Sequence, residues 1–231
     1  IVLKDLTTDQ LHDRLACVGL TPRQTRQIHA AVMRRGTLPA TDEGIAAKLL
    51  DEVRRRTAVP NLELVEKTVS PQDGFAKYLF RGDGPARFEA VRIPLLHRPD
   101  DLKYVVCVSS QVGCAMRCAF CATGRMGFRR NLAAWEIVDQ VSKVRADSPH
   151  PVRGVVFMGM GEPLLNYDGV IQAARILTES SGMAISGKAI TISTVGIVPA
   201  IRRFTEERHI YRLVVSLNSA DPLQRRQLMP V

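Results

Sequence analysis

From Lys103 onward the chain alternates short apolar strands with helices of about ten residues, and that rhythm leaves few folds open to it. Residues 105–109, 154–158, 189–193 and 211–217 read as strands, and residues 132–144, 167–177 and 199–207 as helices. Strands separated by helices of this length form parallel βα units. The expectation is an α/β fold built on a partial (βα) barrel. In parallel barrels the loops after the carboxyl ends of the strands build the active site. Four segments occupy such positions: the cysteine-rich loop after residue 109, Gly159-Met160-Gly161-Glu162-Pro163, Ser193-Thr194 and Ser216-Leu217-Asn218.

The residues before this repeat read differently. Thr7 with Gln10, and Thr21 with Gln24, are capping-box pairs at helix starts, and Pro22 suits a first helical turn. Gly19 and Gly36 are the corresponding stops. A third helix is expected over residues 42–57, with Ile45, Leu49, Leu50 and Val53 on one face. Alternating apolar residues from Leu62 to Ile93, with a turn at Arg81-Gly82-Asp83-Gly84, predict a small antiparallel sheet. Residues 94–101 read as loop. The division is therefore a helical N-terminal domain over 1–60, a β extension over 61–99 and the partial barrel over 100–231. Cys17, between Ala16 and Val18, is expected to be a small core residue.

No apolar stretch approaches the roughly 18 residues a membrane helix needs, and no signal-peptide pattern opens the chain. Five cysteines, most of them on one loop, suit free thiolates in a reducing cytoplasm better than a disulfide framework. The 32 Lys and Arg outnumber the 23 Asp and Glu, giving a net charge of +9. Such a surface attracts phosphate backbones. Arg117, Arg125, Arg129 and Arg130 lie within or just after the cysteine loop, so nucleic acid is the expected partner. Arg125, Arg129 and Arg130 are expected to grip phosphates.

Cys114, Cys118 and Cys121 carry the chemistry. Their C-x3-C-x2-C spacing puts their thiolates on one short loop. A [4Fe–4S] cluster normally takes four protein thiolates. Three leave one iron open to chelate a small molecule and pass it an electron. A structural zinc site would need a fourth ligand. The nearest candidates, His97, His150 and Cys107, stand in no zinc-finger spacing.

This spacing resembles that of the radical S-adenosylmethionine (SAM) superfamily. Longer stretches narrow the resemblance: Cys-Val-Ser-Ser-Gln-Val-Gly-Cys over 107–114, Met-Gly-Met-Gly-Glu-Pro-Leu-Leu-Asn over 158–166 and Thr-Ile-Ser-Thr-Val-Gly over 191–196. Together they look like the radical-SAM adenine methyltransferases of ribosomal and transfer RNA, which modify C2, and the related C8 enzymes of antibiotic resistance. The resemblance implies a [4Fe–4S] cluster on Cys114, Cys118 and Cys121, and Phe120 near the SAM adenine. It implies Gly161 and Glu162 at the SAM amino group, and Ser193, Ser216, Leu217 and Asn218 along the SAM pocket. Asn218 stands where the family usually has His. Glu89 matches the general base, and Cys107 the cysteine that resolves a covalent protein–RNA intermediate through a disulfide. An electron donor such as flavodoxin, a cytoplasmic location and a monomeric state are also implied.

The chemistry explains the equipment. Adenine C2 lies between electron-withdrawing nitrogens and is a poor nucleophile. In the family a methyl group passes first to a cysteine near the C-terminus, and an adenosyl radical from a second SAM abstracts a hydrogen from it. The carbon radical adds to the base, C2 being the favoured carbon here over C8. No cysteine follows Cys121 in this chain. The start at Ile1 and the end at Val231 are read as those of a part of a longer protein. A chain truly ending at Val231 would instead be a non-catalytic iron–sulfur or zinc protein that binds RNA.

Overall fold

The computed structural model describes residues 1–41, 43–95 and 102–229. Its first helices begin where the capping pairs sit. α1 (Thr8–Arg14) and α2 (Pro22–Arg35) both carry a complete capping box, on Thr7 with Gln10 and on Thr21 with Gln24. Gly36 closes α2 in the left-handed conformation, at φ 70°. The first helix is shorter than the sequence suggested. It yields at Leu15 to a 3-10 turn over Ala16–Val18, which turns Cys17 outward, so that thiol is exposed and not a core residue. α3 (Ala47–Arg56) starts later than position 42, which lies outside the described residues. Leu11, Leu15, Ile28, Val32, Ile45, Leu50 and Val53 close into a hydrophobic cluster of their own beneath these helices.

Three antiparallel strands follow: β1 (Glu63–Val69), β2 (Ala76–Arg81) and β3 (Arg87–Leu95). Pro94 and Leu95, expected in a loop, extend β3 and pair with Tyr104 and Lys103. An edge toward a single neighbour tolerates proline's missing N–H. The rest of the expected loop, residues 96–101 with His97 among them, lies outside the described residues.

Then come β4 (Lys103–Cys107), β5 (Gln111–Val112), α4 (Ala122–Arg125), β6 (Arg130–Asn131), α5 (Ala134–Ala146), β7 (Val152–Phe157) and α6 (Tyr167–Thr178). β8 (Ile190–Thr194), α7 (Val198–Glu206), β9 (Arg212–Val215) and α8 (Pro222–Leu228) complete the described order. The sheet runs β1-β2-β3-β4-β7-β8-β9. Pairing is antiparallel from β1 to β4 and parallel from β4 to β9. This open, mixed sheet with helices after its parallel strands is the expected α/β partial barrel.

Burial alternates along the strands and separates the two faces. Tyr78, Phe80, Phe88, Ala90, Val106, Val155, Ile190 and Ile192 are buried in one core with Ile137, Val138 and Val141 of α5 and Val170, Ala174 and Leu177 of α6. Each large side chain buried this way contributes roughly 1.5–3 kcal/mol. The residues between them, Glu89, Val91, Val105, Cys107, Val156, Thr191 and Ser193, point to the opposite face. That face, at the carboxyl ends of β4, β7 and β8, holds the candidate site.

Candidate active site

The loop after β4 and the loop after β7 form one hydrogen-bonded unit. Gly159 N–H donates to the Val108 carbonyl (3.1 Å), and the Ser110 and Gln111 amides donate to the Met160 carbonyl (2.9 and 3.1 Å). Ser109 Oγ donates to the Glu89 carbonyl (2.6 Å) and accepts from Met160 N–H (2.9 Å). Gln111 Oε1 accepts from Glu162 N–H (2.9 Å), and its Nε2 donates to Asn131 Oδ1 (2.8 Å). Asn166 Nδ2 donates to the carbonyls of Ser110 and Leu132, both at 2.8 Å. The space between the loops leaves no room for a side chain at Gly159, where a Cβ would stand 2.7 Å from the Val108 carbonyl oxygen. Ser109, Gln111 and Asn166 thus brace the site. Their letters stand inside the two motifs, but sequence reading gave them no role.

The cysteine loop is pinned by a second set of backbone contacts. β5 pairs with β6, Val112 against Arg130 and Gln111 against Asn131. Cys114 N–H donates to the Gly127 carbonyl (3.2 Å) and Arg129 N–H to the Val112 carbonyl (3.0 Å). Gly113 adopts φ 72°, and a Cβ there would lie 1.7 Å from the Gly127 carbonyl oxygen, so only glycine fits. β6 also moves the start of α5 from the expected Leu132 to Ala134. From the far side, Ala119 N–H donates to the Leu228 carbonyl at the end of α8 (2.9 Å). Arg225 of α8 donates to the Val195 carbonyl (2.5 Å).

Cys114 and Cys118 are buried, and Cys121 is partly exposed. Burial pushes the Cys114 and Cys118 thiols up, and each thiol is raised further by the charges of its neighbours Cys121 and Glu162. Arg225 pulls Cys118 the other way. Among the described residues no three His, Cys, Asp or Glu side chains converge tightly enough to share a single metal ion. A cluster asks something different: three thiolates that surround a volume, each on its own iron, with a fourth corner open. Three cysteines on one loop pinned by backbone hydrogen bonds, two of them close enough to Glu162 to feel its charge, supply that donor set. The residues fit the group.

The cavity beside them measures about 230 Å³ and is lined by Met158, Gly161, Glu162, Ser193, Thr194, Val195 and Ser216, among others. Glu162 is buried and bridges two loops, its Oε1 accepting from Leu164 N–H (3.0 Å) and its Oε2 from Val195 N–H (2.9 Å). Ser193 Oγ and Ser216 Oγ stand 3.0 Å apart. Leu217 is exposed, and Asn218 sits in the left-handed region at φ 58°. Asn tolerates that conformation well, because its amide bonds locally. A larger recess of about 460 Å³ beside α6 and α7 is lined by Arg203, which pairs with Asp168 and Glu207 there.

Strand register puts Glu89 and Cys107 on one face. Val91 pairs with Cys107, Cys107 with Val156 and Val156 with Thr191, so these side chains form one row across the open face. Glu89 lies two residues from Val91 on the same face. It is therefore the diagonal neighbour of Cys107, at about 7–8 Å or less between Cβ atoms for such a pair. Burial pushes the Cys107 thiol up to about 11. Glu89 is 41% exposed and pairs with Lys77 Nζ at 3.1 Å.

The arginines divide. Arg125 and Arg129 are exposed. Arg130, expected to face RNA, instead holds the buried Glu136 through two contacts (2.6 and 2.8 Å) and donates to the Asp83 carbonyl (2.7 Å). A buried carboxylate demands a partner, so Arg130 belongs to the fold.

Comparison with known proteins agrees with this geometry. The family model described as "Radical SAM superfamily" matches residues 108–230. A "Probable RNA methyltransferase" of Myxococcus xanthus is 48% identical over 99% of this chain and 64% of its own length. The "Dual-specificity RNA methyltransferase RlmN" of Syntrophobacter fumaroxidans is 40% identical over 100% of this chain and 66% of its own. This chain thus spans a little under two thirds of the length of these curated relatives. The crystal structure of a radical SAM methyltransferase from Sphaerobacter thermophilus superposes with a TM-score of 0.86 at 35% identity, covering 100% of this chain and 67% of that one. The cysteine loop, the cavity beside it and the sheet that carries both are those of a family member: the chain belongs to the radical SAM superfamily.

Proposed function

We propose that the protein methylates a ring carbon of adenine in RNA, C2 rather than C8, with 23S ribosomal RNA, transfer RNA or both as substrate. The observation that carries this reading is that strand register sets Glu89 and Cys107 as diagonal neighbours on the open face of β3 and β4, β4 being the strand from which the loop of Cys114, Cys118 and Cys121 departs. Cleavage of SAM alone needs neither a carboxylate nor a thiol there. Replacing a ring hydrogen by methyl needs a base for the proton and, in this family, a thiol to release the product. The relatives named as RNA methyltransferases and the net charge of +9 support an RNA substrate. The non-catalytic alternative finds no support among them.

A [4Fe–4S] cluster on Cys114, Cys118 and Cys121, with SAM in the adjoining cavity, supplies one-electron cleavage of the sulfonium. The chain's own residues do the rest. Gly161 and Glu162 receive the SAM amino group, the carboxylate being held in place by the Leu164 and Val195 amides. Ser193 and Ser216 line the pocket, and Leu217 and Asn218, next in the chain, continue it toward the bound SAM. Glu89, open to solvent, takes the ring proton. Cys107, its thiol pushed up to about 11 by burial, attacks only once a base takes its proton, which suits a late step. No described helix is long and apolar enough to cross a membrane; a cytoplasmic monomer reduced by a flavodoxin-type donor completes the reading.

The test is nucleoside mass spectrometry of ribosomal and transfer RNA from a deletion strain. Loss of 2-methyladenosine, restored by the wild-type gene and not by Glu89→Gln, is expected. Unchanged RNA would overturn the proposal, and loss of 8-methyladenosine would reassign the carbon.

A further inference from the structure

The segment that follows the cysteine loop presents a side chain the site does not use. Phe128 is 48% exposed, and Met126 beside it is 52% exposed. Large apolar side chains left in water on both sides of a glycine ask for a reason. Phe128 is not a loose loop residue. The Gly127 carbonyl before it accepts from Cys114 N–H, and the Arg129 amide after it donates to Val112. Its Cα stands 3.4 Å from where a Gly113 Cβ would be, so the backbone is pressed against the cysteine loop. β6, which pairs with β5, follows at once. The ring is thus presented to solvent from a backbone fixed on both sides.

Arg125 and Arg129 flank it in the chain, both exposed and neither of them engaged in the ion pairs that occupy Arg130. An exposed aromatic ring on a fixed backbone, with exposed arginines close to it in the chain, is what unpaired nucleic acid is recognised by. Every base has a face that stacks on such a ring, and phosphates take the charges on either side. A duplex keeps its bases stacked inside and offers the ring nothing.

We propose that residues 125–129 form a docking surface for an unpaired stretch of RNA, with a base stacked on Phe128 and flanking phosphates held by Arg125 and Arg129. This rests on the RNA reading above and adds to it the form of RNA and the residue that selects it. A target adenine within or beside a single-stranded loop would then be held next to the cysteine loop.

The test uses the cluster-loaded, full-length protein and two probes, a fluorescent 12-nucleotide oligo(A) and a 12-base-pair RNA duplex. Phe128→Ala should weaken oligo(A) binding roughly fivefold to a hundredfold and leave duplex binding unchanged. Phe128→Tyr should retain wild-type affinity. Arg125→Gln and Arg129→Gln should each lower the salt slope for oligo(A) by about 0.7. Phe128→Trp gives an independent reading, since the one tryptophan of this sequence, Trp135, is buried. The fluorescence of the introduced indole should be quenched as oligo(A) binds. Wild-type protein that binds neither probe defeats the RNA reading itself. Wild-type binding with an unaffected Phe128→Ala variant and no quenching in the Phe128→Trp variant defeats only this inference. A Phe128→Ala protein whose sole change is a lowered melting temperature would show that the ring packs against another part of the protein, and would also overturn it.

Discussion

The helical N-terminal segment and the cysteine-loop region are held by different forces. Beneath α1, α2 and α3, apolar side chains at helical spacing close a cluster, and capping boxes satisfy the helix starts. Around Cys114, Cys118 and Cys121 the core residues Val112, Leu132 and Met160 lie behind the loop, and polar contacts set its shape. Backbone amides, close glycine contacts and the side chains of Ser109, Gln111 and Asn166 do the holding. Apolar packing is forgiving, because many contacts share the load. A net of close backbone contacts is not, since a single methyl group can collide with a carbonyl. The first arrangement suits a support, and the second suits thiols that must keep fixed positions around a cofactor.

The helical segment meets the barrel helices through Met33 and Val2, which pack on the main core, and through a set of buried polar contacts. Lys4 Nζ lies fully buried against Asp139 Oδ1 (2.6 Å) and Asn61 Oδ1 (2.8 Å), and Asp139 Oδ2 accepts from Leu62 N–H (2.7 Å). Burial lowers the Lys4 ammonium's pKa against the pull of Asp139. Trp135 N–H donates to Asp5 Oδ1 (2.6 Å), and Thr8 Oγ1 donates to Glu179 (2.9 Å). These bonds fix the helical segment to α5 and to the end of α6.

The largest effect is expected from Gly113→Ala. The added methyl would overlap the Gly127 carbonyl at a φ of 72°, so the loop must open. Reconstituted iron and SAM cleavage should fall to background while the helical circular dichroism signal persists. A cluster-loaded Gly113→Ala protein would show that the loop is looser than its contacts imply. Lys4→Met comes next. It leaves Asp139 buried without its counter-charge and should cost about 3–5 kcal/mol in urea unfolding, much of it recovered in the Lys4→Met, Asp139→Leu double variant. An undiminished stability would mean that the two regions are not fastened there.

The site should also be the more sensitive of the two to alkali. The Cys107 thiol is pushed up to about 11 in the fold, above the ordinary thiol near 8.5 in the unfolded chain. The native state therefore keeps its proton longer, and this stabilisation is full below about pH 8.5 and fades as pH rises toward 11. Relative to Cys107→Ala, wild-type protein should lose about 2–3 kcal/mol across that window. Parallel stability curves for the two proteins would count against a deeply buried thiol. Smallest is Thr21→Ala, which removes the acceptor for Gln24 N–H at the start of α2. It should cost about 1 kcal/mol in thermal unfolding and leave cluster content intact; loss of iron from this variant would mean that the two regions are coupled more tightly than their contacts show.

What the sequence determined by itself acts over a few residues. The capping pairs at Thr7 and Thr21, the stops at Gly19 and Gly36, the alternation of strand and helix and the C-x3-C-x2-C spacing are local, because backbone sterics and side-chain reach decide them within one turn. Even there Leu15 broke a helix and Cys17 turned outward, where packing among the N-terminal helices outweighed propensity. Only the tertiary structure decided the rest. Arg125, Arg129 and Arg130 read alike in the chain, yet Arg130 alone meets Glu136 and Asp83. Glu89 and Cys107 reach one face because β3 and β4 pair in a particular register. Gln111 finds Glu162, and Ala119 finds Leu228, across a closed fold. Such partners are set by which strands pair and which buried charges must be satisfied, and both are properties of the whole folded chain.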